Sequence, residues 1–180
     1  MSQPLVRVAA VRWLKPVAAL AGTVVLAACG GGTASSRSHA AAAAAVAATA
    51  VERVVDGDTI IVTGHVRVRL IGMDTPEVVD PRKPVQCFGQ AASARTKALL
   101  PPGTPVRLVY DVERYDRYGR TLAYVYRVAD GLFVNAALVR DGYARVLTIP
   151  PDVAHVSEFV SLAADARRGG RGLWSACRDG

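Results

Sequence analysis

Histidine and cysteine are both scarce in this 180-residue chain, three of each, and His39, His65 and His155 stand too far apart to show metal-ligand spacing. That absence removes zinc-type sites built on His and Cys clusters, and the histidines are given no role. Acid is also short: 15 Asp and Glu against 22 Lys and Arg give a net charge of +7 and a pI near 9.8. The default partner is therefore anionic, whether nucleic acid, phosphate or a membrane surface. Aromatic residues are only 6% of the chain, and Trp174 is read as a packing residue. The uncharged apolar stretch Pro16 to Ala28 is too short to span a bilayer comfortably. The length admits one domain and a tail and rules out a second large domain.

The tail comes first. Residues 1–15 carry Arg7, Arg12 and Lys15 without an acid, and the apolar stretch follows, so residues 1–28 read as a secretory signal. Leu26-Ala27-Ala28-Cys29 resembles the lipobox of bacterial lipoproteins, in which the cysteine receives a lipid and becomes the first mature residue. The alternative is ordinary cleavage that leaves Cys29 a free thiol. Loss of residues 1–28 removes three positive charges, leaving +4. Residues 29–50, rich in Gly, Ser and Ala, lack the large apolar side chains that offset ordering entropy and are expected to be a flexible tether. The protein is thus expected to be exported and anchored to the membrane through Cys29, on its extracellular or periplasmic side. If Cys29 is lipidated, Cys87 and Cys177 remain as an even pair in an oxidising compartment, and a disulfide is expected between them, against two unpaired thiols.

The folded domain is placed at residues 51–178. Val51 to Val62 is β-branched and broken by Asp56-Gly57-Asp58, which reads as two strand segments around a turn. Val66 to Leu70 alternates apolar and basic residues, so both of its arginines fall on one face of a half-buried strand. Strands are expected at 106–112 and 121–128, and helices at 89–100, 134–140 and 153–168. Five short strands with helices inserted late suggest a small closed barrel, or else an α+β layer arrangement.

Chemistry concentrates in two places. Asp56, Asp58, Arg69, Asp74 and Glu77 lie on or beside one hairpin, and converging carboxylates repel unless a cation joins them. Oxygen ligands without a His or Cys cluster favour Ca²⁺ or Mg²⁺. Asp-Gly and Asp-Thr-Pro are also good turn formers, so spacing alone leaves a solvated turn open. The second cluster, Asp116-Arg117-Tyr118-Gly119-Arg120, offers guanidinium groups suited to bidentate phosphate contact; its other reading is a charged hairpin tip.

Together the clusters resemble the staphylococcal nuclease family. The matching segments are Val55 to Thr59, Arg69 to Glu77 and Asp116 to Tyr124, with further similarity from Val134 to Gly142 and at Gly172-Leu173-Trp174. The resemblance implies a mainly β five-stranded OB-fold β-barrel with about three helices. It also implies a Ca²⁺-dependent phosphodiesterase acting on DNA and RNA and leaving 3′-phosphate products. By that resemblance Asp58 and Asp74 bind Ca²⁺ by carboxylate and Thr75 by its backbone carbonyl. Glu77 orients or deprotonates the attacking water. Arg69 and Arg120 neutralise the phosphoryl oxygens, Arg120 also assisting the leaving 5′ oxygen, and Arg117 and Tyr118 contact a terminal phosphate.

One departure stands out. Members with strong base stacking carry two tyrosines just after the segment matching Ala144 to Val146, where this chain has Thr148, Ile149, Pro150 and Pro151. Weaker substrate binding is expected, or binding through Tyr118 and neighbouring arginines. The 78–86 loop offers only Arg82 and Lys83 as basic residues. A monomer is expected. The rival readings are a non-catalytic OB-fold lipoprotein that binds nucleic acid or a protein partner, and a lipid-anchored structural protein whose charges merely solvate its surface.

Overall fold

The computed structural model describes residues 48–78 and 84–177. The expected signal segment, Cys29, the expected tether as far as residue 47, and Arg82 and Lys83 lie outside the described residues. Five strands close into a barrel in the order β1 (Ala48–Val54), β2 (Thr59–Val62), β3 (Val66–Leu70), β6 (Thr121–Arg127), β5 (Pro105–Val109). Neighbours are antiparallel except β3 and β6, which run parallel. A separate two-stranded ribbon pairs β4 (Met73–Asp74) with β7 (Arg145–Val146). The helices are α1 (Gly89–Leu99), α2 (Val134–Arg140), α3 (Val156–Arg168) and the four-residue α4 (Leu173–Ala176).

Strand alternation sets the two faces of the barrel wall. Val51, Ile60, Val62, Val68, Leu70, Val106, Leu108, Ala123 and Val125 fill the interior with Leu100 and Leu138, each large side chain contributing roughly 1.5–3 kcal/mol by burial. The outward residues Leu122 and Tyr124 of β6 join Ile71, Ala136 and Phe159 in a second cluster under α3. Asn135 stitches the layers together. Fully buried, its side chain accepts the Val125 N–H at 2.9 Å and donates to the Ile71 carbonyl at 2.9 Å, supplying backbone groups that no strand partner reaches.

Several boundaries differ from the sequence expectation. β1 begins at Ala48, three residues inside the expected tether, because Ala48, Thr49 and Ala50 pair with Arg107, Val106 and Pro105 to close the barrel. Backbone ladder bonds need no large side chain, so composition gave no sign of it. β5 ends at Val109, and α3 starts at Val156 instead of Val153. Both ends are drawn off by Asp111, whose carboxylate accepts the Tyr124 hydroxyl and the Ala154 N–H. Cys87 and Cys177 are joined by a disulfide with Cα atoms 5.9 Å apart, tying the entry of α1 to the end of α4.

Candidate active site

The acidic half is built on the turn between β1 and β2. Gly57 lies so close to Thr75 that a Cβ there would fall 2.4 Å from its Oγ1, so only glycine lets the two loops meet. The buried Thr96 hydroxyl of α1 donates to the Gly57 carbonyl at 2.7 Å and holds that turn from behind. Asp58, 7% exposed, then accepts the Thr75 N–H at 3.1 Å and the Thr75 hydroxyl at 3.2 Å on Oδ2, and the Thr59 hydroxyl on Oδ1. The Arg69 guanidinium completes the arrangement, with Nη1 2.8 Å from Asp58 Oδ2 and Nη2 2.7 Å from Asp74 Oδ1. One largely enclosed cation therefore bridges two carboxylates contributed by different turns.

Asp56 lies behind this bridge and accepts the Asp58 N–H at 3.1 Å. Burial, with the Asp58 charge adding to it, pushes its carboxyl up to about 6. Burial also raises Asp74, with the Asp58 and Glu77 charges adding to the shift and the Arg69 guanidinium opposing it. The carboxylates are close enough to feel one another, yet no group of three or more His, Cys, Asp or Glu side chains among the described residues is placed to hold a metal. Asp56 and Glu77 bear on the charge of their neighbours, and Arg69 joins two of the carboxylates, Asp58 and Asp74. The oxygen-only set of those two carboxylates with the Thr75 carbonyl still fits a hard divalent cation, whose charge would relieve the mutual repulsion.

Glu77 is half-buried at the edge of the group, with Oε1 accepting the Val78 N–H at 2.8 Å. Its backbone is clamped by Gln86, whose side chain accepts the Glu77 N–H at 2.9 Å and whose N–H donates to the Glu77 carbonyl at 3.0 Å. Nothing in the sequence marked Gln86.

The basic half is the loop before β6. Asp116 organises it: Oδ1 accepts the N–H groups of Tyr118 and Arg120, each at 2.9 Å, and Oδ2 accepts Arg120 Nε at 2.6 Å. Gly119, at φ 74°, makes the tight return possible. Partial burial works against the Asp116 charge, but the Arg120 and Tyr118 amides and the Arg120 guanidinium outweigh it and hold the carboxyl below its usual range. Arg117 Nη2 donates to the Tyr118 hydroxyl at 2.7 Å, and the Arg117 and Arg120 guanidinium carbons lie 4.8 and 5.5 Å from the Tyr118 ring centre.

A cleft of about 650 Å³ is lined by Arg69, Arg117, Tyr118 and Arg120 together with Tyr115, Leu147 and Ile149. Arg69 links the two halves, since it faces the cleft and also holds Asp58 and Asp74. Asp58, Asp74, Thr75 and Glu77 are grouped behind it and are not themselves in the lining. Where two tyrosines were missing, Leu147 and Ile149 provide an aliphatic wall, and Tyr115, 60% exposed, adds an aromatic one. Tyr115 was missed in the sequence, where an aromatic residue within a charged loop was the signal that could have found it. Trp174 lies away from the lining, with the Arg145 and Arg167 guanidinium carbons 5.3 and 4.3 Å from its ring centre.

A five-stranded OB-fold barrel whose cleft is lined by two arginines, one of them bridging a pair of carboxylates behind it, defines a class built to meet phosphate esters. Residues 67–176 match the family model described as staphylococcal nuclease homologue. The chain is 45% identical over 127 residues to the thermonuclease of Staphylococcus intermedius and 41% identical over 128 residues to that of Staphylococcus hyicus. In both cases the match covers 69% of this chain and 74% of the relative. It is also 37% identical over 130 residues to endonuclease YncB of Bacillus subtilis (strain 168), covering 69% of this chain and 60% of that protein. The chain belongs to the staphylococcal nuclease family.

Proposed function

We propose that this protein is a Ca²⁺-dependent endonuclease that hydrolyses phosphodiester bonds of DNA and RNA and leaves 3′-phosphate ends. The observation that carries the reading is the Asp58–Arg69–Asp74 bridge beside the cleft that Arg120 also faces. A phosphodiester is anionic and repels hydroxide, so its hydrolysis needs screening charge, donors for the equatorial oxygens and a base for water. Arg69 and Arg120 supply the donors, and Arg120 assists the departing 5′ oxygen. Glu77 orients or deprotonates the water, and Arg117 and Tyr118 hold a neighbouring phosphate. Asp58, Asp74 and the Thr75 carbonyl would hold Ca²⁺, which supplies screening charge and Lewis acidity when bound.

The test is digestion of plasmid and single-stranded DNA by the wild-type protein and by Glu77→Gln, with Ca²⁺ and with EDTA. The expected result is cleavage that EDTA abolishes and that falls by about 10²–10³-fold in Glu77→Gln. Binding without cleavage would favour the rival reading of a non-catalytic OB-fold module. Export and attachment through a lipid on Cys29 belong to the same proposal, supported by the lipobox-like Leu26-Ala27-Ala28-Cys29 and by a disulfide suited to an oxidising compartment. Cys29→Ala is expected to release the protein from the membrane fraction.

A further inference from the structure

Outside the cleft, the outer face of the barrel carries two arginines that the chemistry above does not use. Arg53 of β1 and Arg67 of β3 are both Cα partners of Ile61 on β2, one on each side, so all three side chains share a face. The partners flanking Ile61 in that ladder, Val62 and Ile60, are core residues, so Arg53 and Arg67 point outward. Both are exposed. Neither has a carboxylate partner among the described residues, whereas the nearby acids are engaged: Glu52 with His65, Asp58 and Asp74 with Arg69, and Asp116 with Arg120.

This pair is continuous with the cleft. Arg67 precedes Arg69 by two residues on the same face of β3, about 7 Å away along the strand. Arg120 immediately precedes Thr121, the Cα partner of Val68 in the parallel β3–β6 pair, and so enters β6 at the level of Arg67. Arg53 lies two strand spacings beyond Arg67, about 10 Å across the sheet. Beyond the paired Arg69 and Arg120, the positive charge thus continues, without carboxylate partners among the described residues, through Arg67 on β3 to Arg53 on β1.

We infer that Arg53 and Arg67 form a phosphate-binding track for the substrate strand beyond the cleaved linkage, giving the protein a preference for long polynucleotides over short ones. The inference rests on the nuclease reading for its direction, because the track leads away from the two arginines assigned to the scissile phosphate. Guanidinium groups that are exposed and unpaired bind phosphate by displacing counterions, so the contribution depends on salt and not on base sequence.

The experiment compares the full chain with Arg53→Gln/Arg67→Gln, using a dinucleotide and a long single strand as cleavage substrates. Fluorescence anisotropy of the labelled long strand in EDTA, across a salt series, reports binding alone. The double variant is expected to raise KM for the long strand roughly tenfold and to leave kcat and dinucleotide cleavage within twofold of wild type. Its log–log salt dependence of binding should be shallower by about 1.4, since each single-strand phosphate contact contributes about 0.7. Unchanged anisotropy and unchanged KM for the long strand would overturn the inference. So would loss of sedimentation with phosphatidylglycerol vesicles in the variant without any change in strand binding, which would assign the track to a membrane surface. A wild-type protein that binds the strand with the expected salt slope but cleaves neither substrate would sink the nuclease reading and leave the track standing.

Discussion

The acidic and basic halves of the site are held in place by opposite means. Asp58, Arg69 and Thr75 are enclosed, and each is fixed by partners from other parts of the chain: Thr96 of α1 reaches the turn through Gly57, and Arg69 reaches it from β3. The 116–120 loop is largely exposed and organised by its own Asp116, whose hydrogen bonds all return within four residues. A buried charge with many partners carries stability as well as chemistry. An exposed loop held by one local carboxylate carries chemistry almost alone.

Substituting one arginine from each half separates these roles. Arg69→Ala removes a donor from the cleft and leaves the buried Asp58 carboxylate without its cation, so it should lower kcat by about 10²–10³-fold and cost about 3 kcal/mol of stability. Arg120→Ala should lower kcat by a similar factor with almost no stability change, because its partner Asp116 keeps two backbone donors. Urea unfolding alongside steady-state kinetics checks both. Equal stability losses in the two variants would erase the distinction between the halves.

What was legible in the sequence follows the same division. The 56–58 turn, the 69–77 segment and the 116–120 loop were readable because each places its charged residues within a few positions of one another. Five short strands left a closed barrel or an α+β layer arrangement open, and the family resemblance pointed to the barrel. Arg69 as the bridge between two acids was not, since the sequence gives the acids and the arginine but not which of them stands in the middle. The β4–β7 ribbon left no pattern, having only two residues in each strand. Asp111 and Asp152 were missed as well; they tie the loop after β5 to the segment before α3, about 40 residues away, through the Ala154 and Glu113 amides. A hydrogen bond between one carboxylate and one remote amide makes no periodicity and uses no characteristic residue spacing.

Within the basic half, Asp116→Asn should lower kcat about tenfold by loosening the presentation of Arg120 while leaving global stability within about 0.5 kcal/mol. Asp116 also predicts a pH response. Its folded pKa lies below the unfolded value of about 3.9, so the order it confers is fully present above that value and is lost as pH falls through the folded pKa. Amide exchange at Tyr118 and Arg120 should therefore lose protection only below about pH 4. In Asp116→Asn, whose Oδ1 can still accept both amides but no longer titrates, their protection should be independent of acid pH. Protection in the variant that still follows the wild-type acid profile would mean that another group latches the loop.

The smallest expected effect concerns how the acidic half holds Glu77. Gln86 bonds both backbone groups of Glu77 and precedes Cys87, whose disulfide to Cys177 secures the start of α1. Gln86→Ala should lower kcat about fivefold with KM little changed, as a misplaced water-activating group costs turnover before binding. Gln86→Glu keeps an oxygen that accepts the Glu77 N–H and should recover most of the loss. A structural role alone would lower activity by the same factor whether or not Glu77 is present. If Gln86 acts through Glu77, adding Gln86→Ala to Glu77→Gln should change kcat by less than about twofold, so the two substitutions are non-additive. Additive losses would assign Gln86 to the stability of the loop and leave the positioning of Glu77 to the acidic half's other contacts.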